Sequence, residues 1–368
     1  MKFLILSSNN GGGHNSVAAA LKQQCTEQGD TVDICDCMTF ISGTLSDAVS
    51  FSHVFMYRHA PRLFDGSYDD TGKKHEIFRD KTALRRFINL GAEKLGKQIQ
   101  KERYDAVICV HVFAGLMLSE AVRRYHLSVR TGIVETDYCN TPGCANNDLD
   151  YHFIPDAGLI PELTAAGVPE DRIVVSGIPV RKTLLRRFEK TNAKHMLGIP
   201  QDHDHILLMG GSMGCGPIPE LLELLAAELP ETTDVSVVCG TNIKMEKELK
   251  EKFGPSSNVH IFGYMPDMFW IYAASDVFVT KPGGISVTEA GVFGLPMVLV
   301  NVVGGCERYN LKFFTERGAA LSGKDEFELA SCIEELIMDR EKRERMSAAI
   351  RRLVNPDAAK EICAKFQD

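Results

Sequence analysis

Short apolar runs rich in β-branched residues recur along the chain, and each is followed by a longer stretch whose apolar residues fall at helical spacing. Runs this short, without polar alternation, suit strands buried on both faces, and the helical stretches supply the crossovers that parallel pairing requires. The expected strands are 3–7, 31–35, 106–111, 130–135, 151–154 and 173–176. The polar, strongly charged stretch "PVRKTLLRRFEKTNAKHMLGIPQDHD" then interrupts the pattern. Alternation resumes with strands at 205–209, 234–239, 259–262, 276–280 and 296–301, and from Asp325 onward the spacing is helical. These boundaries predict an N-terminal domain over 1–180, a linker over 181–204 and a C-terminal domain over 205–350. A C-terminal helix over 351–368 could pack on either domain. The fold class is α/β, with two Rossmann-like doubly wound domains in tandem facing a cleft, and 368 residues suffice for two cores.

The formal net charge of −8 argues against a nucleic-acid binder, which needs a clustered basic surface. Locally the balance reverses. Residues 51–103 hold 12 Lys or Arg against 7 Asp or Glu, together with Phe51, Phe55, Tyr57, Phe64 and Tyr68. That mixture suits an anionic membrane surface or an amphipathic helix pair packed on the first domain. The 11 cysteines are scattered without a CxxC pair, and an apolar strand follows Lys2 where a secretory leader would differ. A reducing cytoplasm is expected, with cysteines filling apolar space. No run approaches the ~18–20 apolar residues that span a bilayer, so membrane contact would be peripheral.

In open parallel sheets ligands bind beyond the carboxyl ends of the strands, and four of those ends carry small-residue loops. They are Gly11, Gly12, Gly13 and His14 in "SSNNGGGHNS", then "MGGSMGCG" at 209–216, Gly240 to Asn242 in "VVCGTN", and Gly283 and Gly284 in "KPGGISVTEA". Glycine lets backbone N–H groups approach an anion, and a following helix N-terminus adds the positive end of its dipole. The same loops also serve as tight turns. The GxGxxG spacing of dinucleotide sites is absent from the first loop. His14 is placed either as a general base for a hydroxyl or as an orienter of the helix start. Glu289, one turn into the helix after Gly284, suits a ribose diol, which offers two donors to one carboxylate.

These motifs, with "FGYM", "GLP", "GGCERYN" and "FFTERGAA", stand in the order found in diacylglycerol glycosyltransferases. The chain resembles the monogalactosyldiacylglycerol synthases and processive diacylglycerol glucosyltransferases, relatives of the peptidoglycan lipid N-acetylglucosaminyltransferase. The resemblance implies a glycosyltransferase B fold and inverting transfer of a hexose from a UDP-sugar to a lipid, most simply diacylglycerol, at the inner face of the plasma membrane. No bound metal and no permanent cofactor are implied. By position, Gly211, Ser212, Met213, Gly214, Gly283, Gly284 and Ser286 would cradle the diphosphate and Glu289 the ribose. Gly240, Asn242, Gly263, Tyr264 and Met265 would surround the nucleoside, and Glu307 and Asn310 would approach the sugar. On the acceptor side the resemblance implies His14 and Asp137 as catalytic residues, and we expect Gly12, Gly13, Phe55 and Tyr57 alongside them. Cys306 stands where the family usually has glutamine, and "YCNTPGCANN" replaces the histidine and tryptophan common after the family's Thr-Asp pair. UDP-glucose, UDP-galactose and UDP-N-acetylglucosamine therefore stay open as donors.

Other readings compete. Gly210, Ser212 and Gly214 spell the GxSxG of a nucleophile elbow, although His260 is the sole histidine after Ser212. A UDP-sugar 2-epimerase could share the architecture, and a nucleotide-sugar sensor without turnover would tolerate Cys306. Asp148, Asp150 and the "DHDH" run 202–205 read as solvated loops ahead of a hard-cation site.

Overall fold

The computed structural model describes residues 1–8, 12–41, 78, 82–212, 214, 216–300 and 304–367. The chain forms two compact units: Met1–Lys182 with Val303–Cys306 and Asn355–Asp368, and Thr183–Val302 with Glu307–Val354.

The first unit is built on a six-stranded parallel sheet of β1 (Lys2–Ser7), β2 (Thr31–Asp36), β3 (Ala106–Cys109), β4 (Arg130–Val134), β5 (Tyr151–Ile154) and β6 (Ile173–Val175). Helices α1 (Gly12–Glu27), α2 (Ala83–Asn89), α3 (Ala92–Glu102), α4 (Val112–Tyr125) and α5 (Ile160–Ala165) connect or flank them. The second unit carries α6 (Lys190–Leu197), β7 (Asp204–Met209), α7 (Ile218–Glu228), β8 (Thr233–Val238), α8 (Ile243–Phe253) and β9 (Val259–Phe262). It continues with α9 (Phe269–Ala274), β10 (Val277–Thr280), α10 (Gly284–Phe293) and β11 (Met297–Leu299). After α11 (Cys306–Glu316) come β12 (Ala320–Ser322), α12 (Glu326–Met338) and α13 (Arg340–Leu353). β3 and β10 are buried at every position, as strands covered by helices on both faces must be.

The strand orders are β2-β1-β3-β4-β5-β6 and β12-β11-β10-β7-β8-β9. In the first sheet the winding reverses between β1 and β3, and in the second between β7 and β10. The registers that close those seams pair Leu6 with Cys109 and Met209 with Thr280. At such a reversal the two following crossovers leave to opposite faces and open a crevice beyond the strand ends. Each unit therefore has its own ligand position, set by topology before any side chain is considered.

The last helix, α14 (Ala358–Lys365), belongs to the first unit. Phe366 packs 5.5 to 6.0 Å from the rings of Phe3, Tyr151 and Phe153. A Cβ on Gly132 would lie 2.8 Å from Phe366, so glycine in β4 makes room for that ring. The cysteines, expected to serve mostly as apolar filler, include one pair that does not: Cys25 in α1 and Cys363 in α14 are joined by a disulfide across 338 positions. No local spacing could reveal it. β12, a three-residue strand at the sheet edge, was also not expected, being too short for periodicity to register. Among the described residues no helix is long and apolar enough to cross a membrane.

Candidate active site

In the second unit the crevice is bordered by the loops after β7, β8 and β10. The first two interlock. Gly214 and Gly240 both adopt φ of +59°, and a Cβ on either would collide with the opposite loop, at the Cys239 carbonyl oxygen and the Ser212 carbonyl oxygen respectively. The Thr241 N–H donates to Ser212 O at 2.9 Å, and the Asn242 amide donates to Gly214 O at 3.3 Å while its oxygen caps α8 through Met245 N at 3.1 Å. These glycines thus fit two loops into one rigid rim, a tighter requirement than a single turn. Met213 lies outside the described residues.

Beyond β10, Gly283 is the N-cap of α10, so the helix opens with the N–H groups that follow Gly283 and Gly284. Ser286 is half-buried in the first turn, and Glu289 is 6% exposed one turn on. The Tyr272 hydroxyl donates to Glu289 Oε2 at 3.2 Å. Tyr272 is itself wedged by Phe278 and Phe293, which fixes the position of the carboxylate. Asn310 is fully buried and donates to Pro282 O at 2.9 Å, pinning the loop that leads into Gly283. Glu307 forms an ion pair with Lys281, a residue sequence reasoning did not single out. Gly263 packs on Glu246, leaving Tyr264 65% exposed and Met265 half-buried.

In the first unit the crevice lies beyond β1 and β3. α1 begins at Gly12, so Gly12, Gly13 and His14 form the first helical turn and not the preceding loop. The His14 ring meets His111 edge-to-face at 4.9 Å, and its Nδ1 lies 3.3 Å from Thr136 Oγ1. His111 caps α4: its Nδ1 accepts from the Phe113 N–H at 3.2 Å, so that nitrogen carries no proton. His111 was read as the end of a strand, and only the sheet reversal places it beside His14. Asp137 is half-buried in the loop after β4.

Behind that loop, Glu135 is 4% exposed and accepts from Thr141 Oγ1 at 2.6 Å. Burial pushes its carboxyl up to about 7, and the charge of Asp137 adds to the shift, while bonds from Cys144 and Thr141 oppose it. Phe55 and Tyr57 lie outside the described residues, as does most of the aromatic, basic segment.

The acid runs read as loops have structural partners. Asp148 pairs with Arg172 at 2.8 Å, Asp150 accepts from Thr131, Asp204 pairs with Arg343, and His203 pairs with Asp234 at 2.7 Å. Among the described residues no group of three or more His, Cys, Asp or Glu is placed to hold a metal ion.

The architecture is that of glycosyltransferase B proteins. The structure of MurG from Acinetobacter baumannii superposes with a TM-score of 0.65 at 19% identity, covering 100% of this chain and 99% of that one. UDP-GlcNAc 2-epimerase from Neisseria meningitidis, bound to UDP-GlcNAc, gives 0.64 at 16% identity with 100% of both chains covered. Fold alone does not separate transferase from epimerase. Sequence does: residues 14–180 match the monogalactosyldiacylglycerol (MGDG) synthase family, and residues 219–353 match glycosyl transferases group 1. The chain thus carries a domain similar to the MGDG synthases and a second similar to the group 1 glycosyl transferases. A processive diacylglycerol beta-glucosyltransferase of Bacillus mycoides (strain KBAB4) is 27% identical over 364 residues, covering 98% of this chain and 92% of the relative.

This glycosyltransferase is a UDP-sugar-dependent hexosyltransferase. Its GxSxG run is not joined to a catalytic base: among the described residues no hydrogen bond links Ser212 to His260, the sole later histidine, which pairs with Asp234 at 2.6 Å.

Proposed function

We propose that this glycosyltransferase moves a hexose from a UDP-sugar to a diacylglycerol-type lipid with inversion at the anomeric carbon. The observation that carries the reading is the placement of His14 and of the glycine rim with Glu289, each at the reversal point of its own sheet. On the donor side, the backbone N–H groups of Gly211 and Gly284 and the hydroxyls of Ser212 and Ser286 receive the diphosphate, while Gly214 and Gly283 shape the loops, their own N–H groups donating to Gly211 O at 3.1 Å and Lys281 O at 2.8 Å. Glu289, oriented by Tyr272, accepts from the ribose diol. Asn242 and the turn of Gly263, Tyr264 and Met265 border the nucleoside.

UDP is a stabilised leaving group, so the donor side has to supply oriented donors for charge that grows on the β-phosphate oxygen as the glycosidic C–O bond breaks. The acceptor needs a base. In the tautomer whose Nδ1–H donates to Thr136 Oγ1, 3.3 Å away, His14 presents Nε2 as the base, which takes the proton as the acceptor oxygen attacks the anomeric carbon. Asp137 assists on that side. Glu307 and Asn310 stand on the sugar side of the rim, Glu307 through its carboxylate and Asn310 by holding the loop.

A peripheral position on the inner, anionic face of the plasma membrane is part of the proposal. What supports it is a notch in the first unit lined by Arg86, Arg123 and Arg124 around Leu90, which is 66% exposed. Glu120 at its floor pairs with Arg123 and Arg124, which sets the two guanidinium groups without cancelling the third arginine.

The test measures UDP release from UDP-glucose, UDP-galactose and UDP-N-acetylglucosamine, with and without liposomes containing diacylglycerol. Liposome-dependent release with one hexose donor is expected. Release that ignores diacylglycerol, or none with any donor, overturns the lipid acceptor. Epimerised UDP-sugar without release would move the chain to the epimerases.

A further inference from the structure

Lys281 is the first residue beyond β10, at the reversal of the second sheet, and its surroundings are unusual for a lysine. Its stem runs under the loop after β7. A Cβ on Gly211, which has φ of +72°, would lie 2.6 Å from Lys281 Cε and 3.4 Å from Cδ. Gly211 therefore keeps a channel open for this side chain, besides any role of its amide. At the far end the ammonium pairs with Glu307, and the two side chains are 17% and 13% exposed. A Cβ on Gly283 would sit 3.8 Å from Lys281 Nζ and 3.9 Å from Glu307 Oε1, so both charges flank the amide face that opens α10.

An ion pair this sheltered is a poor stabiliser, because desolvation offsets most of the attraction. Its position suggests another use. A carboxylate beside a diphosphate repels it, and a single ammonium within reach of both can serve either anion.

We propose that Lys281 is a donor-binding residue whose ammonium is shared between Glu307 and the diphosphate of the UDP-sugar. Diphosphate binding draws the ammonium from Glu307, and the released carboxylate then accepts from the sugar's hydroxyls. Recognition of the sugar is thereby coupled to the presence of the diphosphate. The inference rests on the donor reading above, and its test separates the two.

Affinities for UDP, UMP and uridine are measured calorimetrically on the full chain for the wild type, Lys281→Gln, Lys281→Arg, Glu307→Gln and Glu289→Ala, with thermal unfolding in parallel. Wild-type protein that does not prefer UDP to uridine refutes the donor reading itself. With that preference in place, Lys281→Gln is expected to weaken UDP by about 10- to 100-fold while leaving uridine unchanged. Lys281→Arg keeps the charge and restores part of the preference. Glu289→Ala weakens all three ligands alike. The sign at Glu307 is the decisive readout: removing the competing carboxylate should tighten UDP several-fold while lowering kcat for the UDP-sugar. A pair that merely holds the fold would give weaker UDP binding and lower stability in both Lys281→Gln and Glu307→Gln. That outcome, or an unchanged UDP-to-uridine ratio in Lys281→Gln, overturns the proposal.

Discussion

Gly240→Ala tests whether the glycines of the donor rim exist to join two loops. Gly198, which ends α6, also has a positive φ, +74° against +59° for Gly240, but its Cβ position has nothing within 4 Å. The two substitutions therefore share one cost and differ in another. An alanine in the left-handed region costs roughly 1–2 kcal/mol, of which about 0.4–1 kcal/mol is recovered through the less flexible unfolded chain. Gly198→Ala should thus destabilise the second unit by about 1 kcal/mol. At Gly240 the new methyl group also meets the Ser212 carbonyl and lies 2.8 Å from its carbon, inside van der Waals contact. Relieving that overlap costs about 1–3 kcal/mol. It also stretches the 2.9 Å bond from Thr241 N–H to Ser212 O, worth about 1 kcal/mol. The sum for Gly240→Ala is about 3–5 kcal/mol, and an ångström of displacement at the rim should reduce UDP affinity by about 100-fold. Urea unfolding and UDP titration of both variants give the comparison. If Gly240→Ala matches Gly198→Ala in stability and retains wild-type UDP affinity, the interlocked rim is not what the glycines are for.

His14→Ala should lower kcat by about 100- to 10,000-fold with little change in the KM for UDP-sugar, and single-turnover kinetics would show full activity if the base lies elsewhere. Tyr272→Phe removes one donor from Glu289 and should weaken UDP only a few-fold, against about 10- to 100-fold for Glu289→Ala, as judged by UDP titration. The pH dependence of stability has opposing parts. Glu135, with its carboxyl near 7 in the fold, holds its proton longer than the unfolded chain does, so its contribution falls as pH rises from about 4.5 to 7. His152 and His205, lowered by burial to about 4 and about 3, resist protonation, so theirs is lost as pH falls below about 6.5. Glu135→Gln should consequently raise stability at pH 7.5 by about 3 kcal/mol and leave the acid limb in place, checked by urea unfolding from pH 4 to 8. An unchanged profile would mean that Glu135 is ionised in the fold at no cost.

Much of the architecture is legible because parallel strands buried on both faces leave continuous apolar runs, and β1, β5, β9 and β10 appear within a residue of where those runs place them. The glycine loops are legible for a similar reason, since a strand followed by glycine and a helix is a local pattern. What stays hidden is whatever depends on partners far apart in sequence. His111 meets His14 only because β3 pairs with β1, and Lys281 meets Glu307 across 26 positions through the turn of α11 toward β10. The double duty of Gly214 and Gly240 is equally non-local, since each is shaped by a carbonyl in the other's loop. Asn310 shows the reverse: it lies in a motif that suggests ligand contact, and its amide is engaged with the protein's own backbone.

The return of the last helix to the first unit has a consequence for the order in which the protein matures on the ribosome. All six strands of the first sheet emerge before the second unit is made, yet the ring of Phe366 that fills the space above Gly132, and the partner of Cys25, lie within the final stretch. The unit synthesised first can therefore complete its core only after the second unit has been made, whereas the second has every strand and helix it needs by Val354. Synthesis runs from the first unit to the second, and closure runs the other way.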